Sequence, residues 1–144
     1  MSSRFAVATQ ILTVVASEPD RAHRSEDLAT WAGTNPAVIR RILQMLGRAG
    51  LTCSQLGKGG GSQLSRDAHE ISLADIYNAV EDGELLAMPR CGPDETCRIG
   101  AHIGDMVRDA AKRAETALEQ ELSLTSLGDL VAALNMQTTA TEHT

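Results

Sequence analysis

The chain has 144 residues and a net charge of −6, a length that suits one domain with a short extension. Phe5, Trp31 and Tyr77 are its three aromatics, too few for a protein that stacks unpaired bases on aromatic rings. A core left to Leu, Ile, Val, Ala and Met favours packed helices over a β-sandwich.

The charge is unevenly spread. Residues 1–66 hold eight Lys or Arg against four acids, and residues 67–144 hold five against fifteen. A positive first half on an acidic chain points that half at a polyanion, although plain segregation of surface charge produces the same count. No signal peptide is visible and no stretch approaches the roughly 20 apolar residues of a membrane span. A cytoplasmic protein is expected, with no membrane partner.

A helix fits residues 4–17, with one apolar stripe at Phe5, Ala8, Leu12 and Val15 and a second at Val7, Ile11 and Val14. Two stripes imply burial on two sides. Ser25 is suited to cap the next helix, with Glu26 and Asp27 in its positive first turn. Gly33 stops that helix, and Asn35-Pro36 starts another as cap and first helical residue. The third helix runs to Gly50. Ile39, Ile42, Leu43 and Leu46 form its buried stripe, and Ala37, Arg40, Arg41, Gln44 and Arg48 its other face. Two short helices about a glycine turn suggest a helix-turn-helix. Arginine and glutamine on the second helix suit phosphates and guanine edges; an ordinary helical hairpin with a solvated basic face fits the same residues.

Leu51–Leu56 and Gln63–Ser65 read as paired strands around Gly57-Lys58-Gly59-Gly60-Gly61. The loop has the glycines of a phosphate cradle, but Lys58 precedes Gly59 where a P-loop needs a hydroxyl residue. Glycines let a backbone approach DNA closely, and Lys58 supplies charge. Ser72-x-x-Asp75 is a capping box that opens a helix to about Glu81. Residues 82–97 are irregular and hold Cys91 and Cys97. From Arg98 to Leu122 a long helix, roughly 36 Å, presents Ile99, Ile103, Met106, Val107, Ala110 and Ala114 on one side. Such a stripe meets another helix, either in a second subunit or in this chain's first helix. Ser126-x-x-Asp129 opens a short last helix carrying Leu127, Leu130, Val131 and Leu134, and the tail beyond 136 is expected to be disordered. Cys53, at the wing base, suits a small buried position. With Cys91 and Cys97 it brings the cysteines to three, an odd number that argues against a structural disulfide framework.

The strings SRFAVATQILTVVA, SEDLA, TNPAVIRRILQMLGRAGLTCSQLGKGGGSQLSR and ISLADIYNAVEDGELL, with Cys91 and Cys97 as a C-x5-C pair, resemble the Rrf-two family of bacterial transcriptional regulators over residues 2–135. The resemblance implies a mainly α fold with a small β-hairpin wing: a winged helix-turn-helix over 1–81, a cysteine-containing loop at 82–97, dimerisation and C-terminal helices over 98–136, and a tail at 137–144. It implies a homodimer on palindromic double-stranded DNA, acting as a repressor or activator. Carried onto matching positions, DNA contacts fall to Ser25, Asn35, Pro36, Arg40, Arg41, Gln44, Lys58, Gly59 and Gly60.

Cluster-binding relatives use three cysteines plus one further ligand. Here Cys91, Cys97 and a substitute His102 leave an iron–sulfur cluster one ligand short, because position 103 is Ile. No resident metal or other cofactor is expected. A thiol switch needs less. Arg98 and the helix start beside Cys97 favour its thiolate, Asp94 and Glu95 oppose it, and Cys91 is the resolving partner. A small-ligand sensor and a dimer that binds protein rather than DNA remain alternatives. The four histidines (His23, His69, His102, His143) form no nucleophile–base constellation, so an enzyme is not expected.

Overall fold

The computed structural model describes residues 3–83 and 97–142. Six helices and one hairpin follow in order: α1 (Arg4–Ser17), α2 (Ser25–Ala32), α3 (Pro36–Arg48), β1 (Thr52–Gln55), β2 (Gly61–Leu64), α4 (Leu73–Val80), α5 (Cys97–Leu122) and α6 (Leu127–Glu142). They form two units. One holds the chain up to Asp82 together with everything from Leu122 onward; the other is Gly83–Glu121, of which α5 is the described helix.

The first unit is built around α1. Ala8, Leu12 and Val15 are fully buried and Ile11 nearly so, which realises both apolar stripes of the helix. Leu28 from α2, Ile39, Ile42 and Leu46 from α3, Ile71, Ile76 and Val80 from the α4 region and Leu127 from α6 join the same core. Phe5 meets Tyr77 edge to face with centroids 5.7 Å apart, a favoured aromatic geometry. Arg4 reaches Glu81 at 3.5 Å and Asp82 at 3.2 Å, tying the start of α1 to the end of α4.

Both Ser-x-x-Asp boxes form. The Ser72 hydroxyl accepts from the Asp75 amide, and Asp75 Oδ2 accepts from the Ser72 amide. Ser126 and Asp129 repeat the pattern. The two helix starts lie side by side: the Leu73 amide donates to the Thr125 carbonyl at 2.9 Å and the Leu127 amide to the Ile71 carbonyl at 2.7 Å. Hydrogen bonds from the Ser126 backbone and side chain hold the Asp129 carboxyl below its ordinary range.

Two expectations change here. The last helix groups with the chain up to Asp82, packed on α1, rather than with α5 in a separate C-terminal segment. It also extends through Glu142 where a disordered tail from 137 was expected. A doubly bonded cap nucleates it, no proline follows to stop it, and Thr138 bonds back to the Leu134 carbonyl within the helix. Among the described residues, no helix is long and apolar enough to cross a membrane.

Candidate nucleic-acid interface

The turn between α2 and α3 is set by local chemistry. Gly33 adopts φ 67°, a left-handed conformation that suits glycine, and its N–H and that of Thr34 close onto the last carbonyls of α2. Asn35 then caps α3, its Oδ1 accepting from the Val38 amide at 3.1 Å, with Pro36 at the first helical position. Ile39, Ile42 and Leu46 turn inward and are at most 2% exposed. The 3.6-residue period then puts Ala37, Arg40, Arg41, Gln44 and Arg48 outside, where all five are exposed. Arg41, Gln44 and Arg48 have no partner among the described residues. Arg40 leans toward Glu26 in the first turn of α2, 3.9 Å away.

Beside this helix, β1 and β2 pair antiparallel with Thr52 opposite Leu64 and Gln55 opposite Gly61. Thr52 and Ser62 face inward, and Leu51 just before β1 is buried. The hairpin is anchored to the α1–α2 connection by a short bridge: the His23 amide donates to the Ser62 carbonyl at 2.9 Å, and the Ser62 amide to the His23 carbonyl at 2.8 Å. His23 itself is buried, with its ring Nε2 3.2 Å from the Glu18 carbonyl.

The loop at the tip is tightly folded. Gly57 and Gly59 have φ of 93° and 81°, the Gly60 amide donates to the Gly57 carbonyl at 3.0 Å, and a side chain at Gly60 would strike the Gln55 carbonyl. Gln55 Nε2 bonds Gln63 Oε1 across the strands at 2.6 Å. Lys58 projects unpaired among the described residues. Arg21, Arg24, Asp27, Gln55, Gly59 and Gln63 line a polar trough of about 470 Å³ between the start of α2 and the wing.

Several sequence-derived assignments shift. The N-cap of α2 is Arg24, not Ser25; Ser25 is the first helical residue, half-buried, with no side-chain cap bond. Cys53 is exposed rather than packed at the wing base, because the pleat that turns Thr52 inward turns its neighbour outward. Leu56, just before the glycine loop, is 97% exposed. Glu26, Arg24, Gln55 and Gln63 enter the interface without having been marked in the sequence. Glu26 reaches it across the turn, and the others through the fold-back of the wing, which no local spacing announces.

On α5, Ile103 is 54% and Met106 61% exposed; Val107, Ala110, Ala114 and His102 are exposed as well. Ile99 and Cys97 lie in its first turn. Cys91 lies outside the described residues. Among the described residues, no three His, Cys, Asp or Glu side chains are placed to hold a metal ion. Ile103 stands next to His102 on the exposed surface of α5, so that turn supplies one donor and not two. A second hollow, about 360 Å³, is bounded by Thr9, Gln10, Thr13, Val14, Trp31 and Leu134. Its Thr9 and Thr13 hydroxyls already bond helix carbonyls.

A basic helix held by its apolar stripe, a capped turn before it and a glycine-tipped hairpin after it define a winged helix-turn-helix regulator of transcription. Comparison with known proteins agrees. The family model Rrf2, described as iron-dependent transcriptional regulator, matches residues 1–133, and the chain belongs to that family. It is 34% identical over 131 residues to YwnA of Bacillus subtilis, named as a helix-turn-helix-type transcriptional regulator, covering 91% of this chain and 96% of that protein. A solved transcriptional regulator from Lactobacillus plantarum superposes with TM-score 0.77 at 26% identity, covering 99% of this chain and 97% of that one. IscR of T. potens shares the fold, with TM-score 0.69 at 18% identity, covering 93% and 87%. The relatives are regulators, not enzymes.

The Arg40–Glu26 pair is more than half exposed on both sides, a setting in which an ion pair stabilises little. Glu26→Gln should therefore change unfolding stability by less than about 0.5 kcal/mol in urea denaturation. A loss of several times that would mean Arg40 is committed to the fold and unavailable to a ligand.

Proposed function

We propose that the chain is a homodimeric, sequence-specific DNA-binding repressor of a cytoplasmic regulon, with α3 in the major groove and the wing on the adjacent backbone or minor groove. The observation that carries this is the division of α3. One stripe is fully buried, while three arginines and a glutamine lie outside next to a glycine loop bearing Lys58. Arg40 and Arg41 are placed for base edges or phosphates, Gln44 for adenine, and the amides near Asn35 and Pro36 for a phosphate. Ser25, in the first turn of α2, supports a further phosphate contact, and Gly59 and Gly60 let the wing backbone come close. In a two-fold dimer the reading helices would stand about 34–36 Å apart, which calls for a palindromic operator. Repression needs only occupancy of that operator.

The probe is a duplex recovered from a randomised pool by selection with the wild-type protein. Arg40→Ala should weaken it by about 1–3 kcal/mol and relax base preference at one position per half-site. Lys58→Ala should weaken all duplexes alike and make the salt dependence shallower, by about 0.9 in log–log slope for each phosphate no longer neutralised. Binding that is indifferent to salt and to both changes would favour a protein partner for this face.

The dimer is assigned to α5, whose Ile103, Met106, Val107, Ala110 and Ala114 leave an apolar stripe exposed. A glutamate there would be buried without a partner. Met106→Glu should reduce the mass measured by light scattering from two chains to one. An unchanged mass would move the interface elsewhere.

The sensing function is assigned to Cys97 with Cys91. Cys97 opens α5, and the positive end of a helix favours thiolate. Peroxide would take two electrons from the pair, forming one disulfide and water. Mild peroxide should remove two titratable thiols and alter DNA affinity in the wild type but not in Cys97→Ser. Visible absorption in anaerobically purified protein would point instead to an iron–sulfur cluster.

A further inference from the structure

The wing tip carries two side chains of any size, and only one of them is charged. Lys58 has an evident use on a polyanion. Leu56 does not: it is 97% exposed, the most exposed of the large apolar residues described, on a loop whose backbone is otherwise fixed. Gly57 and Gly59 take left-handed conformations, the Gly60 amide closes on the Gly57 carbonyl, and Gly60 has no room for a side chain against Gln55. Below the loop, the hydrogen bond from Gln55 Nε2 to Gln63 Oε1 and the two His23–Ser62 backbone hydrogen bonds brace the hairpin. In this conformation the leucine side chain stands clear of its own protein.

A scattered surface leucine is ordinary on a protein. This one stands at the end of a polar hairpin, between Gln55 and Gly57 and two residues before Lys58, beside the face proposed to offer arginines to DNA. The minor groove is walled by deoxyribose carbons, and apolar side chains of minor-groove proteins pack against those walls or between base steps. The glycines that follow the leucine, Gly57, Gly59 and Gly60, keep the loop slim enough for a groove about 6 Å wide.

We propose that Leu56 is an apolar minor-groove contact: on each subunit it seats against the sugar walls flanking the site read by α3, while Lys58 holds the neighbouring phosphate. This rests on the DNA-binding reading above. It adds a contribution that is independent of charge, and so independent of salt.

The test uses the full-length protein and the selected duplex. Leu56→Ala removes no packing, so its melting curve should match the wild type. Its affinity should fall about ten-fold, equivalent to about 1.4 kcal/mol, with the salt slope unchanged. Hydroxyl-radical protection of the flanking minor groove should disappear. Lys58→Ala should show the converse, a shallower slope with the protection kept. Equal affinity and an equal footprint for Leu56→Ala and the wild type would overturn the proposal, including the case where only transcription changes and a protein partner owns the leucine. A salt slope that falls together with the affinity would overturn it as well. If the wild type binds no duplex in the selection, the DNA-binding reading itself has failed, an outcome distinct from an inert Leu56.

Discussion

Burial of Ile39, Ile42 and Leu46 decides where every charge on α3 points. These three side chains are fixed in a core shared with α1, α2, α4 and α6, and rotating the helix by even a quarter turn would drag arginine into that core. Removing a charge from water without a partner costs several kcal/mol, more than any surface contact returns. The outward array of Arg40, Arg41, Gln44 and Arg48 is therefore the complement of the packing, set before any ligand arrives. The capped turn at Gly33–Asn35 sets where the helix begins, and so which turn of it leads.

The wing depends on the same core at one remove. Its strands are four residues each, and an isolated two-stranded hairpin of that size is marginal in water. Leu51 and Thr52 root one strand, and the paired His23 and Ser62 backbones root the other. The connection between α1 and α2 thus acts as a third short strand, so the hairpin and α3 share one support. Doubling the Ser-x-x-Asp cap at Ser72 and Ser126 does for α4 and α6 what that bridge does for the wing: it joins distant segments through backbone groups that would otherwise lack partners.

Much of this was legible in the sequence where the physics is local. Asn35-Pro36, Gly33 and both capping boxes announce helix ends within four residues, and the period of α3 sorts its faces without reference to the rest of the chain. What could not be read depended on partners far along the chain. The face of Cys53 follows from register in a four-residue strand, which one residue of slip would invert. Arg24 takes the cap of α2 because the preceding chain is pulled into the His23 bridge. Arg40 meets Glu26 only once two helices cross. The second stripe of α1 announced a neighbour, but α6 as that neighbour came from packing, and the length of α6 came from the absence of a stop.

In the proposed complex the outward face of α3 and the glycine-tipped hairpin form one surface for DNA. Amide chemical-shift mapping on the intact protein with the selected duplex tests it most directly. Shifts should be confined to the start of α2, the exposed positions of residues 36–48 and the wing loop 56–60, with α6 and the Trp31 hollow silent. Shifts centred on that hollow or on α6, with residues 36–48 unmoved, would contradict it.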